Sequence, residues 1–223
     1  MTRRKSSCQN HNGVRMDGNK RQIGIMGGTF DPVHNAHLAL AKQAYEQYGL
    51  DEIWMLPNGN PPHKKDTQQA DVEYRMQMIR LAIQKIPYLK LCDLECFGES
   101  YHYTYKTLQK LHKKYPNALF YFIMGADSLF EFDGWREPEI ISKECVLLAA
   151  VRDHCHKEEI QEKIRELKDK YGADIRILDT PNMDIASEDI RGRIQHEECT
   201  SYLLPTAVED YIQKHGLYRT EDK

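Results

Sequence analysis

The stretch Ala118-Leu119-Phe120-Tyr121-Phe122-Ile123-Met124, closed by Gly125, is apolar at almost every position. A half-exposed strand alternates apolar and polar side chains, whereas a run apolar throughout needs cover on both faces, as in a parallel sheet flanked by helices. Reading outward, 145–151 repeats the pattern, and shorter strands are expected at 21–26, 52–56, 89–94 and 175–178. Helical periodicities lie between them. Leu38, Ala41, Ala44, Tyr45 and Tyr48 mark 36–48, stopped by Gly49, and Met76, Ile79, Ile83 and Ile86 mark 72–86, stopped by Pro87. Further helices are expected at 104–115, 158–171, 187–195 and 206–215. Strands alternating with helices over roughly 200 residues predict one α/β domain, a doubly wound Rossmann-like parallel sheet with C-terminal helices. Ligands of such a sheet collect beyond the carboxyl ends of its strands.

Composition narrows the partners. The 223 residues carry 31 Lys+Arg against 34 Asp+Glu, so no global charge steers the chain toward nucleic acid or a membrane surface. The apolar runs are far too short to cross a bilayer. Arg3, Arg4, Lys5, Arg15, Lys20 and Arg21 oppose Asp17 alone near the N-terminus, without the apolar core of a signal peptide. Residues 1–21 therefore read as a disordered basic arm, 22–220 as the folded domain, and the location as cytoplasmic. Six scattered cysteines in a chain that needs no staples read as reduced thiols. His154-Cys155-His156 reads as a loop, because adjacent residues point apart and no second ligand pair stands at zinc spacing.

The chemistry gathers after the first strand, in Gly27-Gly28-Thr29-Phe30-Asp31-Pro32-Val33-His34-Asn35-Ala36-His37. Two glycines permit close backbone approach, and the helix that follows aims free amides and its positive dipole end at the same point, a geometry suited to a phosphate. His34 and His37, three apart at the helix entrance, share one side and can donate to a polyphosphate. The spacing is neither the Lys-bearing P-loop nor the Gly pattern of dinucleotide-binding folds.

This segment resembles the signature of the nucleotidyltransferase superfamily, Thr/Ser-Phe-Asp-Pro-x-His-x-Gly-His, with Ala36 where Gly is usual. Further segments narrow the resemblance to the bacterial nicotinate-nucleotide adenylyltransferases: Pro57-Asn58-Gly59-Asn60-Pro61-Pro62-His63-Lys64, Tyr103-Thr104-Tyr105-Lys106-Thr107-Leu108 and Phe122-Ile123-Met124-Gly125-Ala126-Asp127-Ser128-Leu129, with Trp135 beyond. Ile185-Ala186-Ser187-Glu188-Asp189-Ile190-Arg191 resembles the family's Ile-Ser-Ser-Thr-x-Ile-Arg, and the Leu-Pro and Gly-Leu-Tyr elements near the end resemble its closing helix.

The resemblance implies transfer of the adenylyl group of ATP to nicotinate mononucleotide, giving deamido-NAD and pyrophosphate, with Mg²⁺ carried on the ATP phosphates and no side-chain metal cage. It implies that His37 and His34 hold those phosphates, supported by Gly27, Gly28, Thr29 and Phe30. Ser187, capping the helix it starts, and Arg191 reach the β- and γ-phosphates. Gly125 and Asp127 lie at the ATP nucleoside, with Arg152 near ATP. For the acceptor, it implies that the pyridine ring lies against Trp135, that amides near Thr104 and Arg136 receive the carboxylate, and that His63 and Lys64 meet the phosphate. Ala36, Ala186, Glu188 and Asp153 depart from the family pattern. Two alternatives stay open: another nucleotidyltransferase of the superfamily, such as the one acting on phosphopantetheine, and a nucleotide-binding paralogue without turnover. The sequence leaves open whether the chain forms a homo-oligomer.

Overall fold

The computed structural model describes residues 20–59, 69–97, 102–151, 157–180 and 183–219. The basic arm up to residue 19, His63, Lys64, Arg152, Asp153 and His154-Cys155-His156 lie outside the described residues. Six parallel strands form one sheet in the order β3-β2-β1-β4-β5-β6: β1 (Arg21–Gly28), β2 (Glu52–Pro57), β3 (Leu89–Leu91), β4 (Ala118–Gly125), β5 (Cys145–Val151) and β6 (Ile175–Asp179). The order reverses direction between β1 and β4, which places the switch point, and the ligand cleft, above the carboxyl ends of those two strands.

The central strands are covered on both sides, as the apolar run at 118–124 requires. Tyr121 and Ile123 of β4 face one core with Met55, Leu148, Val33 and Ile79, while Phe120, Phe122 and Met124 face another with Ile25, Leu56, Leu108 and Leu147. The first core is roofed by α1 (Asn35–Tyr48), α2 (Val72–Ile83), α7 (Ser187–Gln195) and α8 (Thr206–His215). The second is roofed by α3 (Thr104–Lys114), α5 (Pro138–Glu144) and α6 (Lys157–Tyr171). Among the described residues, no helix is long and apolar enough to cross a membrane.

Several boundaries differ from the sequence reading. β3 ends at Leu91 rather than 94, because its pairing with β2 stops at Met55 and the chain then turns, with Cys96 N–H donating to Asp93 O at 3.0 Å. α2 stops at Ile83, three residues early; the residue before Pro87 is disfavoured in helical conformation, and Ile86 N–H instead closes a tight turn onto Ile83 O at 2.8 Å. Between β4 and β5 the sequence reading left 126–144 unassigned. That segment holds α4 (Ala126–Phe130), a 3₁₀ turn over Phe132–Gly134, and α5, all too short to show a helical period.

Candidate active site

β1 delivers the glycine-histidine segment to the top of the sheet. Phe30 adopts φ 52°, a left-handed backbone that a non-glycine residue takes only when its surroundings force it. Its ring is buried and packs over Gly28, where an added Cβ would lie 3.2 Å from the nearest ring atom, so Gly28 lets Phe30 pack closely as well as bordering the cleft. The Asp31-Pro32 peptide is cis. His34 is the N-cap of α1, and the ring of His37, in the third helical position, reaches back so that Nδ1 accepts the His34 N–H at 3.2 Å. The two imidazoles stack with centroids 3.7 Å apart, and the edge of Phe30 closes on His37 at 4.9 Å. An Nδ1 that accepts leaves the proton of the neutral ring on Nε2, the form that donates to an anion.

Four side chains from distant parts of the chain bind the segment 29–32. Arg75 of α2, buried at 1% exposure, donates through Nη1 to Thr29 O at 2.7 Å, through Nε to Ala70 O at 3.0 Å and through Nη2 to Gly59 O at 3.3 Å. Burial pulls this guanidinium below its ordinary value, and the neighbouring Asp31 charge pushes back. Arg191 of α7 donates to Asp31 O at 2.7 Å, and Ser187 Oγ donates to Pro32 O at 3.0 Å. The Asp31 carboxylate, 2% exposed, accepts from Tyr218 and, at 3.3 Å, from Ala70 N–H.

Ser187 therefore does not cap α7. The N-cap is Ala186, whose extended backbone precedes the first helical residue, and the Ser187 hydroxyl is taken by the Pro32 carbonyl instead.

Above the strands, a chamber of about 670 Å³ is lined by Gly27, Gly28, Thr29, Phe30, His34, His37, Gly125, Ser187, Arg191, Thr104 and Trp135. Glu188, a departure from the family pattern, lines it too. A second chamber of about 430 Å³ shares Ala36, Leu40 and Gly125 with the first, and is bordered by the small side chains Ala39, Ala126 and Ala150 together with Asp127 and Thr180. Asp127 thus sits in the second chamber and the histidines in the first. The Arg136 side chain, 68% exposed, points to solvent beside Glu137 and lines neither chamber.

Trp135 stands on the opposite wall, half-buried, edge-on to Phe122 at 5.8 Å and tilted against Phe132 at 5.5 Å. Its loop is fastened by Asp133, which accepts from Lys163 at 2.6 Å, Lys170 at 2.5 Å and Tyr171 at 2.8 Å; those donors, Lys163 foremost, hold its carboxyl well below the usual range. Glu95, which lines the first chamber with Thr104, is largely buried and accepts from Thr107 Oγ1 at 2.5 Å. Burial pushes its carboxyl above the ordinary value, against the pull of that hydroxyl. A Cβ on Gly59 would lie 2.8 Å from Glu95 O and 2.7 Å from Cys96 O, so only glycine allows this close passage of two loops.

Arg75, Asp31, Tyr218 and Glu95 were not picked out from sequence as site residues. Arg75 carried a signal, a charge on the stripe that α2 turns to its core; Asp31 lay inside the quoted signature and Tyr218 inside the Gly-Leu-Tyr element, but neither was given a role, and Glu95 carried no signal without the fold.

A family model described as cytidylyltransferase-like matches residues 25–193. The chain is 44% identical over 198 residues to the probable nicotinate-nucleotide adenylyltransferase of Lachnoclostridium phytofermentans, covering 89% of this chain and 99% of that one. It is 38% identical over 199 residues to the protein of the same description from Moorella thermoacetica, covering 89% and 92%. In structure it matches the nicotinic acid mononucleotide adenylyltransferase of Plasmodium falciparum complexed with APC, with a TM-score of 0.72 at 23% identity over 89% of this chain and 97% of that one, a likeness of fold. The cytidylyltransferase-like model leaves the phosphopantetheine alternative standing, whereas the relatives that match nearly end to end carry the nicotinate description. By its sequence the chain belongs to the nicotinate-nucleotide adenylyltransferases.

Proposed function

We propose that the two chambers align ATP and nicotinate mononucleotide for in-line displacement, with no covalent adenylyl-enzyme. The observation that carries this reading is the convergence of the stacked His34–His37 pair, the amino end of α1 and the Arg191 guanidinium on one chamber. That chamber adjoins, through Ala36, Leu40 and Gly125, a second one whose lining includes Ala39, Ala126, Ala150 and Asp127. A phosphate oxygen of the mononucleotide attacks the α-phosphorus. The new phosphorus–oxygen bond forms as the bond to the β-phosphate breaks, and pyrophosphate leaves with the electron pair. The protein's share is positioning and charge stabilisation. The Nε2–H of His37 donates to the phosphates, the positive dipole end of α1 faces them, and Arg191 and Ser187 lie toward the β- and γ-phosphates.

In this reading the adenosine occupies the second chamber, where Gly125, Ala126 and Ala150 leave room for it and Asp127 accepts from ribose hydroxyls. The pyridine ring lies on Trp135, with the carboxylate received by amides near Thr104 and Arg136. His63 and Lys64 serve the acceptor phosphate and Arg152 serves ATP. The nucleotide enters with Mg²⁺ on its phosphates, where a substrate-borne ion is held by phosphate oxygens and water and needs no cage of side chains.

The test is pyrophosphate release from ATP and Mg²⁺ with nicotinate mononucleotide, its amide and phosphopantetheine offered in parallel. Release far faster with the acid mononucleotide is expected. Release with phosphopantetheine alone, or ATP binding without release from any acceptor, overturns the reading.

A further inference from the structure

We infer that Tyr218, beyond the last helix, is a positioning residue for adenylyl transfer: it holds the Asp31 carboxylate in an orientation that keeps Arg191 available to the polyphosphate. The inference rests on the functional reading above.

The geometry at Asp31 is unusual. Its side chain is 2% exposed, and both hydrogen bonds found for it, from the Tyr218 hydroxyl and from Ala70 N–H, go to Oδ1. Among the described residues Oδ2 has no hydrogen-bond partner; it is buried and lies 3.9 Å from Nη1 of Arg191, too far for a close pair. That nitrogen is engaged instead by the Asp31 carbonyl at 2.7 Å. A buried carboxylate next to a guanidinium gains most by closing on it bidentately. Here the carboxylate is fastened through its other oxygen, so the guanidinium is oriented by a neutral carbonyl and the rest of its donors are left for the chamber it lines.

Tyr218 is itself held for this purpose. The chain leaves α8 through Gly216 at φ 61°, whose N–H bonds Ile212 and Gln213 carbonyls, and Leu217 N–H bonds Ile212 O at 3.1 Å. Tyr218 then takes φ 64°, a left-handed conformation that a tyrosine adopts only when its surroundings fix it. The result turns the ring back across the sheet end to a residue 187 positions earlier. Burial, with the Asp31 charge behind it, pushes the phenol far above its ordinary value, which keeps it a donor at neutral pH.

Removing the hydroxyl leaves Oδ1 with only the long bond from Ala70 N–H, lets the carboxylate swing onto Arg191, and sets Asp31 in competition with the ATP phosphates. The experiment is ATP binding by calorimetry, with Mg²⁺, to the full-length wild type, Tyr218→Phe, Asp31→Asn and the double variant. KM for each substrate and thermal unfolding are measured on the same preparations. Tyr218→Phe is expected to weaken ATP binding about tenfold, the loss of one charge-assisted bond, while KM for nicotinate mononucleotide stays within about twofold. In the Asp31→Asn background, where no charge competes, the same Tyr218 change should cost about threefold or less. Unchanged ATP affinity in Tyr218→Phe overturns the inference. So does equal weakening of both substrates with a lowered melting temperature, and so does a tenfold loss that persists in the Asp31→Asn background. Wild-type protein that binds ATP with these couplings yet releases no pyrophosphate defeats the functional reading alone, and wild-type protein that binds no ATP defeats both.

Discussion

The loop carrying His34 and His37 and the loop carrying Trp135 face each other across one cleft, yet they are fastened in opposite ways. Residues 29–32 are held from within: Arg75, Arg191, Ser187 and Tyr218 reach them from α2, α7 and the C-terminal turn, and most of these bonds end on backbone carbonyls. Asn35 N–H adds a further tie to Leu203 O at 2.9 Å. The Trp135 loop is held by the Asp133 cluster, in which Lys163 is 13% and Lys170 52% exposed, and by ring packing on the buried Phe122 and Phe132. Buried bonds to carbonyls escape screening and leave an orphaned acceptor when lost, whereas exposed ion pairs contribute little and weaken with salt. The wall read as holding phosphates is tied chiefly by bonds to backbone carbonyls, and the wall read as receiving the pyridine ring by side-chain ion pairs and ring contacts.

The contrast breaks first at His37. His37→Ala should lower kcat/KM by about 10³-fold, the scale for losing a donor to transition-state charge, with the fold retained because the ring borders the cleft. Near-normal turnover, or an unfolded protein, would contradict the role. Arg75→Met should follow, since three carbonyls lose their donor in a buried place. A loss of about 3 kcal/mol is expected, seen as a fall in Tm of roughly 6–12 °C; a Tm within about 2 °C of wild type would show that the loop does not depend on it. On the opposite wall, Trp135→Ala should raise KM for the acceptor about tenfold with ATP binding unchanged and Tm little affected. A change confined to ATP would reverse the assignment of the two walls.

The smallest effect concerns Glu95. Burial holds its carboxyl above the ordinary value of 4.5, so the folded protein binds this proton more tightly than the unfolded chain. Its contribution is fully present below 4.5, is lost as pH rises through the folded value, and stays lost at neutrality. Glu95→Gln should therefore raise stability at pH 7 by about 1 kcal/mol, or about 2–4 °C in Tm, with the advantage shrinking as pH falls toward 4.5. A lower Tm at pH 7 would mean that the carboxylate is better satisfied than its surroundings indicate.

Much of the fold was legible because its signals are local. The apolar runs at 118–124 and 145–151 could only be doubly covered strands, and Gly49 and Pro87 punctuate their helices through backbone constraints that act within a few residues. The chain between β4 and β5 was not legible, since five- and seven-residue helices show too little period. At the site, the glycine-histidine segment stood out because its residues adjoin one another. The bracing roles of Arg75, Asp31 and Tyr218 were not legible, because they depend on which carbonyl or carboxylate each residue meets after folding, across separations such as the 187 positions between Asp31 and Tyr218. Ser187 was placed correctly at the start of α7 and misread as its cap, because the Pro32 carbonyl that claims its hydroxyl lies 155 residues away.

The most direct test of an active site that positions its substrates and supplies no nucleophile is stereochemical. ATP made chiral at the α-phosphorus with sulfur or oxygen isotopes would be converted by the wild-type protein, and the configuration of the dinucleotide product determined by phosphorus NMR. Inversion is expected, since a single in-line displacement exchanges one face for the other. Retention would require two displacements, with the adenylyl group resting on a protein side chain between them, and would contradict the assignment of His37 as a group that holds phosphate.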